Sequence, residues 1–184
     1  MHNIKDPEKF LEQEYHRLID HVSQLPHKIL EHHHVDSLVE MILHEIGHDK
    51  GFGLKRAIYL VDNPDFDHLV GAAGFCKGEC KFHKSDIWHA PHTFSHDMKD
   101  AEFHNNVKKF FKNSLKRKDV NLEDARDIQE LAKVTGVNDP QFFSWNMKHG
   151  NHGILIFDQE GELSPKKRNL LNNSVALLSL CSIF

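Results

Sequence analysis

The stretch LKRAIYLVDNPDFDHLVGAAGF (54–75) decides the fold. Its first half holds the near-continuous apolar run Ala57–Val61, short and bounded by turn residues, which predicts a central strand buried on both faces. NPDFD (63–67) is a turn, because Asn, Pro and Asp favour turn backbone. HLVGAAGF (68–75) is a second strand whose small residues predict close packing, so the stretch reads as an antiparallel hairpin.

Upstream, Val35, Leu38, Val39, Ile42, Leu43 and Ile46 fall on one side of a helix over 35–48, ended by Gly51 and Gly53. Residues 7–25 read as a further helix with Leu11, Tyr15, Leu18, Val22 and Leu25 spaced 4, 3, 4, 3, a seam that fits packing on its own domain or dimerisation and that Pro26 interrupts before Ile29. Downstream, 107–117 and 121–134 read as helices, the second capped by Asn121. QFFSWNMK (141–148) and HGILIFD (152–158) form a second hairpin, with Phe143, Trp145 and Met147 on one face. Ser164 and Pro165 open a C-terminal helix carrying Leu170, Leu171, Val175, Leu178 and Ile183.

Three segments carry a family likeness: SLVEMILHEIGHDKGFGLKRAIYLVD (37–62), DHLVGAAGF (67–75) and FFSWNMKHGNHGILIFDQEGELSPKKRNLLNNSVALLSL (142–180). Their order resembles a GAF domain, a small sensory and regulatory module. The expected fold class is therefore α/β of the α+β type: a GAF-like antiparallel sheet with helices packed on one face and an N-terminal helical extension. The extension spans 1–34 and the GAF-like domain 35–184. The resemblance implies a non-enzymatic regulatory module that binds a small-molecule ligand, with segment 76–141 bordering the pocket. Phe75, Trp88, Phe94 and Trp145 are the candidate ligand contacts, as aromatics able to line an apolar pocket.

Composition bounds the partners. A chain of 184 residues with 39% hydrophobic and 27% charged content has the make-up of one globular domain. Its net charge of −4 has mixed signs and only one short basic stretch, VKKFFKNSLKRK (107–118), which argues against nucleic acid. No apolar run reaches a membrane span and the N-terminus reads as no signal sequence. Cys76, Cys80 and Cys181 are too few for a disulfide framework, so a reducing cytoplasm is expected. Seventeen histidines make the surface charge depend on pH near neutrality. A homodimer is expected from the seam on residues 7–25.

Two constellations offer other chemistry. His44-Glu45-Ile46-Gly47-His48 matches HExxH, in which two histidines one turn apart bind zinc and the glutamate is the general base. The run follows the metzincin form to Gly51, then fails: the third histidine would fall at residue 54, which is leucine. With Leu38, Ile42 and Ile46 packed inward, His44, Glu45 and His48 are expected on a solvated helix face. A zinc hydrolase using these three is the alternative function. The second constellation, a Cys/His cluster over 76–104 of Cys76, Cys80, His83, His89, His92 and His96, with His104 beyond them, offers soft and borderline ligands for zinc or iron, or a redox thiol pair. No cofactor follows from the sequence beyond those two candidate ions.

Overall fold

The structure, a computed structural model, describes residues 7–79, 86–115 and 126–181. Strands β1 (Leu54–Asn63) and β2 (His68–Cys76) form the expected antiparallel hairpin, with Ala57 opposite Phe75 and Tyr59 opposite Ala73. Asn63 Oδ1 accepts from the Phe66 N–H at 3.2 Å within the turn. The five strands of the described residues make one antiparallel sheet, ordered β3-β2-β1-β5-β4. β3 is Phe111–Lys112, β4 is Gln141–Asn146 and β5 is His152–Gln159.

Alternation along β1 and β5 splits the hydrophobic core in two. Ala57, Tyr59, Val61, Leu155 and Phe157 face one layer of helices. Ile58, Leu60, Ile154 and Ile156 face another. The first layer contains α1 (Pro7–Ser23), α2 (Leu25–Glu31), α3 (Leu38–Gly47), α4 (Pro91–Met98) and α7 (Pro165–Val175), followed by a 3₁₀ turn over Ala176–Leu180. The second contains α5 (Glu102–Lys108) and α6 (Arg126–Val134). Helices therefore cover both faces of the sheet, which corrects the expectation of one. The two central strands carry apolar residues on both faces along most of their length, so neither face can be left wet.

The helix expected over 107–117 is also corrected. α5 ends at Lys108, and Phe111 and Lys112 pair with Val70 and Leu69. β2 presents an open edge there, and its N–H and C=O groups capture the chain: Gly71 N–H donates to Phe110 O at 3.0 Å. Position 71 has to be glycine, since a Cβ there would meet Val107 O at 1.8 Å. Asn121 lies outside the described residues.

The N-terminal helices belong to the main core. Leu18 and Val22 of α1, and Leu25 and Ile29 of α2, are buried with α3 and α7. Pro26 starts α2 rather than stopping the chain, since a first-turn proline loses no helical hydrogen bond. Only the far end of the seam stays open, with Leu11 58% exposed.

Leu25→Ala should lower stability by about 2–5 kcal/mol in urea unfolding, the usual range for emptying a closed core site. Leu11→Ala should stay within about 0.5 kcal/mol of the parent. Equal effects of the two would contradict this division of the seam.

Candidate functional site at the junction of the first three helices

All ten residues of α3 are buried, His44 and Glu45 among them at 4% and 5% exposure. This corrects the expected solvated face for His44 and Glu45. The sheet takes one side of α3, while α1 and α2 cover the other. Gly47 lets α3 lie flat on β2, because a Cβ there would meet the Phe75 ring at 2.6 Å.

The two motif histidines go to different places. The His44 ring sits between Phe75 and Phe94, each 5.0 Å away and edge-on. Burial, helped by the neighbouring His104 and His48, pushes its pKa down to about 3, so the ring is neutral. His48 caps the end of α3, where its Nδ1 accepts from the N–H groups of Lys50 and Gly51 at 3.0 and 3.1 Å. Those two donors put the His48 proton on Nε2, which faces Glu45 Oε2 at 3.4 Å.

Glu45 collects donors from three helices. Lys28 Nζ of α2 lies 2.9 Å from Oε1, and His21 Nε2 of α1 lies 3.5 Å from the same oxygen. Burial alone would raise the Glu45 pKa. The hydrogen bonds from His48 and Lys28, with the Lys28 charge, outweigh it and hold the carboxyl down at about 2. His21 is itself held below its ordinary value, by burial above all.

Among the described residues, His21, Glu45 and His48 are the only group that brings three metal-type ligand atoms within 4.8 Å of one another. The two histidine–carboxylate separations, 3.5 Å to Oε1 and 3.4 Å to Oε2, are near the edge of about 3.3 Å expected between ligands of a tetrahedral zinc ion. Two features oppose an ion: Lys28 occupies the carboxylate, and the backbone N–H groups on His48 Nδ1 leave Nε2 without a free lone pair. The arrangement is a carboxylate held by two donors, Lys28 Nζ and His48 Nε2, while His21 Nε2 donates to the Glu45 main-chain carbonyl at 3.4 Å. An HExxH zinc centre would need His44 and His48 on one ion and Glu45 free to act as base. Here the histidines diverge and Glu45 is engaged.

The aromatic candidates separate into three places. Phe75 and Phe94 meet around His44. Trp88 packs under α2, with His32 Nε2 donating to its carbonyl at 2.9 Å and Lys28 Nζ 5.6 Å from its ring. Trp145 stacks on Tyr59 at 5.6 Å and donates to Ser179 Oγ at 2.5 Å. β4 lies three strands from β2, about 14 Å at ordinary strand spacing.

The candidate metal ligands of the middle segment are not gathered among the described residues. Cys76 ends β2, and Cys80 and His83 lie outside the described residues. His89, His92 and His96 are exposed, with His89 beside Asp86 at 3.3 Å and His96 beside Asp97 at 3.8 Å.

Sequence reading missed His21 and Lys28, and grouped His104 with the Cys/His cluster of 76–104, whereas it packs against β2 and α3. His104 Nδ1 accepts from the Gly74 N–H at 3.2 Å, closing the part of the β2 edge that β3 does not cover. Its Nε2 lies 3.6 Å from Glu40 Oε1, which Lys108 Nζ approaches at 3.5 Å. Burial, then the Lys108 charge, lowers the His104 pKa to about 4. Burial raises that of Glu40. No family model, curated protein or solved structure matches the chain. No helix of the described residues is long and apolar enough to cross a membrane.

The two depressed histidines set an acid limit. The unfolded chain takes up protons at His44 and His104 near pH 6.5, while the folded chain resists until about 3 and 4. Stability is therefore full above about pH 6.5 and falls as pH drops towards 4. Thermal melts of His44→Leu should lose less between pH 7 and pH 4 than melts of the parent. An identical slope would show that His44 is not the buried neutral group described.

Proposed function

We propose that the chain is a GAF-like, non-enzymatic regulatory module that acts as a homodimer and binds a small molecule. One observation carries this reading: α1 and α7, from opposite ends of the chain, lie together on one face of the sheet. Lys167 Nζ is 3.8 Å from Glu14, and Lys166 Nζ sits 5.9 Å from the Tyr15 ring. Beside that pair, α1 leaves Phe10, Leu11 and Ile19 exposed. A helix bound to the core by one half of its length and apolar at the other suits contact with a second copy. The HEIGH side chains support the non-enzymatic part, since their polar atoms serve packing between helices.

Light scattering of the parent protein at tens of micromolar should give a dimer. Replacing both Phe10 and Leu11 with Glu should give a monomer with an unchanged circular-dichroism spectrum, because neither residue is in the core. A monomeric parent would overturn the homodimer. A peptidase activity abolished by Glu45→Gln would overturn the non-enzymatic reading.

A further inference from the structure

The face of the sheet under α5 and α6 changes character at one end. Along β1 and β5 its rows run Ile58–Ile156, then Leu60–Ile154, then Asp62–His152. Asn146 of β4 stands next in the last row, opposite His152, and is exposed. Asp62 is fully buried and His152 is 7% exposed. One carboxylate oxygen, Asp62 Oδ1, accepts from the Leu115 N–H at 3.3 Å. The other, Oδ2, and the facing imidazole's Nδ1 are buried with no hydrogen-bond partner among the described residues.

Two unpartnered atoms on directly opposed residues point to a shared group. Each orphan costs about 1–3 kcal/mol, and folded proteins leave few of them. Opposed residues on one face have Cβ atoms about 4.5–5.5 Å apart, so a single small species reaches both side chains. A carboxylate oxygen offers lone pairs, and so does Nδ1 of an imidazole whose proton sits on Nε2, so in that tautomer an electron-pair acceptor satisfies both. The buried negative charge further calls for a positive one.

We propose that Asp62 and His152 form the protein side of a site for a divalent transition-metal ion of the zinc or manganese type. Mixed carboxylate and imidazole donors suit these ions. Asn146 marks the exposed end of the row, and water entering there completes the ligand set. The site is separate from the Glu45 cluster, which lies in the other layer, and stands whether or not the chain is regulatory.

The test uses the full chain, purified without an affinity tag and stripped with a chelator. Titration with Co²⁺, followed by visible absorption and calorimetry, should give one equivalent bound more tightly than the remaining histidines bind it. Asp62→Asn and His152→Gln should each weaken that equivalent at least tenfold, with circular dichroism confirming the fold. His92→Ala/His96→Ala should leave it unchanged. Should either single variant fail to fold, the parent decides: trace Mn²⁺ should broaden the His152 ring resonances before those of exposed histidines. The proposal is overturned if either folded variant binds as the parent does, if only the His92/His96 variant loses the ion, or if exposed histidines broaden first. Unchanged metal affinity in Asp62→Asn would assign the row to a bridging water instead.

Discussion

Burying the Glu45 carboxylate demands hydrogen-bond donors that the body of α3 does not supply, because the helix uses its own N–H groups. Lys28 comes from α2 and His48 from the helix end, while His21 of α1 donates to the Glu45 carbonyl and lies 3.5 Å from its carboxylate. An ionised group at 5% exposure with no donors would cost several kcal/mol. α1 and α2 therefore cannot be separated from α3 without leaving a charge unpaired in a dry place. The apolar contacts of Leu18, Val22, Leu25 and Ile29 hold the same joint. Charge gives the joint its orientation, and burial gives it most of its strength.

The rest of the architecture follows from a sheet wet on neither face. α3 and the terminal helices close one side, and α5 and α6 close the other. α5 reaches the sheet only because β2 carries glycine at 71 and 74. His104 then seals the open strand edge at Gly74, so the histidines of this chain are not one population. His44 and His104 are neutral members of the interior, whereas His89, His92 and His96 are solvated.

The hairpins were legible in the sequence because their signals are local. Ala57–Val61 has no polar break, NPDFD is a turn by composition, and Phe143, Trp145 and Met147 alternate onto the face where they pack. The two-sided cover was not legible, since a strand buried on both faces does not say which helix takes which side. His44 and Glu45 were misjudged for the same reason. An amphipathic pattern on α3 marks one buried face, and nothing local tells that α4 closes over His44 or that α1 and α2 bury Glu45. His21 lies beside Val22 in a seam that reads equally well as an interface between copies. The Asp62–His152 row depends on register across 90 residues, which no local pattern carries.

A double-mutant cycle of Lys28→Met and Glu45→Gln, read by urea unfolding at pH 7, tests the central claim most directly. If Glu45 is the charge that fixes the N-terminal helices, the two losses should overlap, with a coupling energy of about 1–3 kcal/mol. Additive losses within about 0.3 kcal/mol would contradict the account, since independent residues cannot be the two halves of one joint.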